Sequence, residues 1–173
     1  MPSIGAMIMS VFAAIWWILG IQATGHRSWL LILFPLLVTG AIILVAARGP
    51  RSAPSPGNSR IGRVVGIASG IEGLLIFLAA NVLMNTGKGS FLVPAIAIIV
   101  GLHFLPLARW IPVRSYYLIG LLMVALGLLG IALPDLNTRI LWVSTGSAAI
   151  LWWASIGSLF RMHRAQASTD IPE

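Results

Sequence analysis

Glu72 is the only acidic residue inside an apolar stretch of this sequence, and His103, in "GLHFLPLARW", is the only histidine so placed. A carboxyl and an imidazole are the two side chains best suited to passing a proton near neutral pH. Both are costly to charge away from water. A carboxylate at the centre of a bilayer costs at least about 2.5 kcal/mol, and such groups face the bundle interior and mark ion or proton pathways. The bland alternative for Glu72 is a neutral carboxyl bonded to a neighbouring helix. For His103 it is a bond to a local carbonyl near the kink at Pro106. Ser69 lies one turn before Glu72 on the same helix.

Further polar groups occur at helical spacing. Ser144, Ser147, Leu151, Ser155 and Ser158 form one stripe, with Trp142 and Trp153 on the other side. Small hydroxyls toward protein and indoles toward lipid is the economical arrangement. Helix packing is one role for such a stripe; a polar lining for a solute path is the other. Pro35 and Pro106 each lie inside an apolar run, so the carbonyls of Leu31 and Leu102 lack their usual donor. Broken helices with free carbonyls build transporter sites, and simple kinks are the alternative. Glu72, His103, Ser69, Ser144 and Ser147 are therefore the candidate buried polar site, with Pro35 and Pro106 as candidate helix-break sites.

No enzyme constellation accompanies them. Paired acids, a Ser–His pair and a metal set are all missing, and the chain has no cysteine. His26, His103 and His163 show no metal-ligand spacing, and no phosphate-binding Gly–Lys motif occurs. No catalytic residue, cofactor or metal is expected, and the chain reads as a non-enzyme.

The elements that must position these groups follow from composition. Of 173 residues, 58% are hydrophobic and only 9% charged, against about 25% charged in a soluble domain. Lipid is the solvent such a surface fits. The net charge of +7 is then a matter of loops and headgroups, with no nucleic-acid partner expected. Apolar runs fall at residues 4–22, 28–47, 64–84, 91–108, 116–133 and 140–160, each near the ~20 residues that cross a bilayer core as a helix. Only helices satisfy their own backbone there, and strand alternation is absent. The first run lacks a basic leader, which favours a retained helix over a signal peptide. The expectation is an all-α integral membrane protein with six transmembrane helices, a single domain over residues 1–173.

Breaks between runs read as helix ends. Ser28 and Ser115 precede aromatic residues as N-caps do. Asn85-Thr86-Gly87 closes the third run with a left-handed glycine cap. Pro134-Asp135 stops the fifth, with Asn137 or Thr138 to cap the sixth. "RGPRSAPSPGNSR" makes residues 48–63 a flexible Pro/Gly/Ser/Arg-rich loop, and residues 161–173 form a tail.

Arg48, Arg51, Arg60, Arg63, Arg109, Arg114, Arg161 and Arg164 fall on one side of this topology; Arg27, Lys88 and Arg139 fall on the other. The basic excess marks the cytoplasmic side. Both termini and the 48–63 loop are therefore expected in the cytoplasm, the chain lying in a bacterial inner membrane with its arginines against anionic lipid headgroups. A homodimer suits a unit this small. "RSWLLILFPLLVTGAII" at Arg27 faintly resembles "RSYYLIGLLMVALGLLG" at Arg114, and "RVVGIASGIEGLLIF" at Arg63 resembles "RILWVSTGSAAILWW" at Arg139; the alternative is the common likeness of Leu/Gly-rich spans. Helices 1–3 would then repeat as 4–6 in inverted orientation, a transporter plan.

The Gly-x-His-Phe-Leu-Pro pattern at residues 101–106 resembles a motif of small, uncharacterised bacterial multi-helix membrane proteins. The Gly-rich fifth run ending in Leu133-Pro134-Asp135 is similar, more faintly, to the HdeD-type acid-resistance membrane proteins. Neither resemblance implies an activity or a functional residue. Two readings stand: a small-solute permease or channel-like protein with proton involvement of Glu72 and His103, or a structural, stress-related or accessory membrane protein. Depth links the first reading to geometry. Glu72 lies about 12 Å from the start of its run at Val64, and His103 roughly 18 Å from the start of its antiparallel run at Phe91. In a core of about 30 Å the two heights nearly coincide.

Overall fold

The computed structural model describes residues 2–25, 28–48, 56–110 and 115–167, with the side chains of residues 2–3, 56–60 and 162–167 excepted. They form α1 (Pro2–Gln22), α2 (Trp29–Arg48), α3 (Pro56–Asn85), a single 3₁₀ turn (Gly89–Phe91), α4 (Leu92–Trp110), α5 (Ser115–Ala132) and α6 (Leu136–Ala167). All six α-helices are long and apolar enough to cross a membrane.

The packing order is α2–α1–α6–α5–α4–α3, with α6 also reaching α4 and α2. Small residues set the closest seams. A Cβ at Gly20 of α1 would come within 3.0 Å of the Ser144 Cβ on α6. One at Gly101 of α4 would lie 2.7 Å from the Gly120 carbonyl of α5, and one at Gly127 would lie 2.8 Å from the Pro94 carbonyl. Such contacts bring backbones together where lipid offers no hydrophobic drive for association. Polar bonds tie the opposite edge. Trp152 Nε1 of α6 donates to Thr39 Oγ1 of α2 at 3.3 Å, and Thr39 Oγ1 donates to the Ser10 carbonyl of α1 at 3.0 Å.

α3 is the exception. No described residue of its spanning segment, Ile61–Asn85, is buried, and its extensive contacts are with α4 and the 3₁₀ turn alone.

Several helix ends differ from the expected ones. α3 begins at Pro56, so residues 56–63 are helix instead of loop; proline at the first helical position lacks only an N–H that would have had no partner. The preceding 49–55 lie outside the described residues. The tail likewise stays helical through Ala167. Asp135 caps α6 in place of Asn137 or Thr138: its Oδ2 accepts the Thr138 N–H at 2.7 Å. This bond holds the exposed Asp135 carboxyl below the usual carboxylate range. The glycine cap of α3 forms as the sequence predicts. Gly87 has φ +70°, and the Lys88 N–H reaches back to the Leu83 carbonyl at 2.8 Å.

Candidate functional site

Glu72 and His103 meet across the α3–α4 interface. The Glu72 Oε2 lies 3.5 Å from His103 Nδ1, with 20% of the Glu72 side chain and 10% of the His103 side chain exposed. At that distance the contact is an ion-pair approach, longer than a good hydrogen bond. Phe104 covers the imidazole edge-on, with ring centroids 5.8 Å apart, and Tyr116 of α5 lies 5.8 Å beyond Phe104. No other ion pair joins described residues. The arrangement can hold one proton between a carboxyl oxygen and an imidazole nitrogen, in surroundings that supply no competing charge at contact distance.

The other candidates do not join this pair. Ser69 is exposed on α3. Ser144 and Ser147 are fully buried on α6, which makes no extensive contact with α3, and their hydroxyls have no hydrogen-bond partner. The serine stripe faces protein as its spacing predicts: Ser155 is also fully buried, while Trp142 and Trp153 are 63% and 53% exposed. The polar groups therefore form two separate sets, one at α3–α4 and one along the α6 stripe.

The helix breaks also part company. The carbonyl that Pro35 deprives of its donor, Leu31 O, accepts the Trp17 indole N–H at 3.1 Å. An α1 side chain thus repairs the break in α2, and Pro35 itself is buried. Of the two readings of Pro35, a transporter-type site or a simple kink, the bond supports neither a free carbonyl nor an open site: it joins two helices. Pro106 lies at an exposed position on α4, one turn beyond His103.

Arg139 is the residue whose role the sequence reading missed. Counted there as a loop charge, it is 5% exposed. Its Nε donates to the Gly130 carbonyl at 3.0 Å, one terminal nitrogen to Ser90 O at 3.1 Å and the other to Leu133 O. Its guanidinium also lies 4.3 Å above the Phe91 ring. The planar, many-donor guanidinium suits a cluster of carbonyls at a helix C-terminus. The available signal was its position in the first turn of α6, just after the unpaired carbonyls that end α5. Thr39, a polar residue in an apolar run, was also passed over; its hydroxyl accepts from Trp152 and donates to the Ser10 carbonyl, joining α1, α2 and α6.

No metal-competent group of three or more His, Cys, Asp or Glu side chains occurs among the described residues. No family model matches the chain, and neither a curated protein nor a solved structure matches it.

Proposed function

We propose that the chain is a multi-pass protein of the bacterial inner membrane, a small-solute permease or channel-like protein in which Glu72 and His103 handle a proton. The observation that carries this reading is the 3.5 Å approach of an acid to a histidine between two apolar helices. Unpaired, either group would be costly to charge in lipid; facing each other, they favour retention of a proton and a charge that packing alone does not require. Catalysis of a chemical reaction is no part of the proposal.

The proposed orientation puts both termini in the cytoplasm. It is supported by the exposed Arg48, Arg63, Arg109 and Arg161 at one end of the bundle, where they would meet anionic headgroups. At the other end Arg139 is buried against carbonyls. The proposed inverted repeat has partial support in the packing. A shift of three helices carries the α3–α4 contact onto α6–α1 and α1–α2 onto α4–α5, but α6 packs on α4 and α5 while α3 has no extensive contact with α1 or α2.

A second reading, an accessory or structural membrane protein, is favoured by one observation: Ser144 and Ser147 lie apart from Glu72 and His103, so the candidate polar groups share no path.

One experiment separates the two. The full chain is reconstituted in vesicles enclosing a pH-sensitive dye, and proton entry is followed under an imposed gradient. Flux above empty vesicles, reduced about 100-fold or more by Glu72→Gln and by His103→Ala, supports the permease reading, a factor typical of losing a positioned proton-transfer group. Absence of flux, or flux untouched by both substitutions, rejects it. The orientation is tested in intact cells with an impermeant thiol reagent: Ser55→Cys should be shielded and Thr86→Cys should react. The reverse pattern overturns it.

A further inference from the structure

α3 is held to the bundle along one side only. A Cβ placed at Gly62, Gly66, Gly70 or Gly73 would meet no atom within 4 Å, so the helix has open space along the row where a second neighbour would sit. Its extensive contacts are with α4 and the turn that joins them. Apolar contacts between helices in a membrane are readily exchanged for contacts with lipid tails, which are as apolar as leucine. Among the described residues, the ion pair across the α3–α4 interface is Glu72–His103, and lipid cannot replace it.

We infer that α3 is a proton-controlled gate, docked on α4 while Glu72 and His103 hold at most one shared proton and released when a second proton arrives. With none, a carboxylate faces a neutral imidazole that still has an N–H to donate; with one, the pair is carboxylate and imidazolium or carboxyl and imidazole, and each form is complementary across the interface. With two, a neutral carboxyl faces an imidazolium that has no counter-ion. That cation needs water, and water reaches it only if the helices part. Acidification therefore opens the interface.

Among the described residues, the surrounding charges leave this balance to the pair. Arg63 on α3 and Arg109 on α4 stand roughly 13 Å and 9 Å along their helices from Glu72 and His103. Lys88 lies at the opposite end of α3. On α5, the Tyr116 ring packs against Phe104, and Tyr117 is exposed. On α6, Arg161 donates to Ser115 and Arg139 is bound to three carbonyls. None of these groups pairs with Glu72 or His103.

The inference rests on the proton-handling reading of the pair, but its test needs no transport. Because the chain has no cysteine, spin labels can be placed cleanly on the full chain in phosphatidylethanolamine–phosphatidylglycerol vesicles. One pair is Ile67→Cys on α3 with Leu121→Cys on α5; the reference pair is Ile15→Cys on α1 with Trp153→Cys on α6. All four positions are exposed. Between about pH 8 and about pH 4, a window that covers the ordinary histidine and glutamate ranges, the α3–α5 distance should lengthen by roughly 5 Å, half a helix diameter. The α1–α6 distance should stay fixed. Glu72→Gln with His103→Gln should abolish the pH response. An α3–α5 distance unchanged across this range, or one that still responds in the double variant, overturns the gate. Movement without proton flux retains the gate and rejects the permease; flux without movement does the reverse.

Discussion

The α4–α5 seam and the free flank of α3 use the same residue at similar spacing to opposite ends. Gly101, Gly120, Gly127 and Gly130 are buried, and a Cβ at any of them would press within 3 Å of a neighbouring atom: backbone for Gly101, Gly120 and Gly127, and the Val143 side chain for Gly130. Gly62, Gly66, Gly70 and Gly73 are exposed and meet nothing. A glycine row is thus a capacity for close approach, and whether a helix uses it is decided by the partner. α4 and α5 are locked by backbone apposition, whereas the described contacts of α3 on α4 are one polar pair and apolar contacts that lipid can match. This contrast puts the closest helix approaches among α1, α4, α5 and α6 and leaves α3 held along one side.

The sharpest way to break the comparison is to add a methyl group on each side of it. Gly101→Ala forces the α4 and α5 backbones apart and should destabilise the detergent-solubilised protein by about 2–3 kcal/mol, the upper part of the range for overpacked cores. Gly70→Ala should be neutral or stabilise by up to about 1 kcal/mol, because alanine is the better helix former and nothing opposes its Cβ. Thermal unfolding of the two variants side by side checks this. Equal effects would mean that α3 is packed after all.

A comparable loss is expected at the clamp that closes the α4–α5–α6 end. Arg139→Gln leaves carbonyls of Gly130, Ser90 and Leu133 short of donors. At about 1–3 kcal/mol for each group left unsatisfied and partly recovered by water, a net loss of about 2–3 kcal/mol follows. Arg139→Lys should restore little of it, since a single ammonium cannot match the planar fork. Recovery by lysine to wild-type thermal stability would reduce Arg139 to a simple charge.

Within α6 the two faces provide a smaller contrast. Ser147→Leu inserts bulk at a fully buried position and should cost about 1–3 kcal/mol, while Trp153→Leu, on a face 53% exposed, should stay within about 0.5 kcal/mol. Equal unfolding midpoints would show that the buried face has slack.

The smallest effect belongs to the α6 cap. The Thr138 N–H holds the Asp135 carboxyl below its ordinary value of 3.8. A group with a depressed pKa stabilises the fold above its ordinary pKa and loses that contribution as pH falls through the lowered one. Asp135→Asn keeps an acceptor without the charge. Its unfolding midpoint should fall slightly below the wild type's near neutral pH, and the gap should close as pH drops below about 4. A gap that widens with acid would remove Asp135 as the charged cap.

Six spans were legible in the sequence because each apolar run is long enough to cross a bilayer, and length and hydropathy are local properties. The glycine cap at Gly87 was legible for the same reason. The approach of Glu72 to His103 was half legible. Helical rise gives their depths, but their facing depends on how α3 rotates against α4, which no local pattern records. Trp17 was not foreseen as the donor to Leu31, since the two residues come from different helices. Arg139 was misread because charge counting treats every basic residue between spans as solvated, and burial against carbonyls is a tertiary event. The separation of Ser144 and Ser147 from the acid–base pair has the same origin: sequence spacing places residues on a face, and packing order decides which faces meet.

The Arg139 clamp bears on how the protein enters its membrane. In the proposed topology the α5–α6 turn must be carried across the bilayer, and a bare arginine in its core would cost about 2.5–3.5 kcal/mol on insertion scales. Two of the three acceptors, Gly130 and Leu133, precede Arg139 by only nine and six residues. A hairpin of α5 and α6 therefore already contains most of what its own guanidinium needs, before Ser90 and Phe91 are brought to it by α4. The cation can cross chelated by the strand of chain it travels with, which favours insertion of these two helices as a pair and leaves the α4 contacts to be added on assembly.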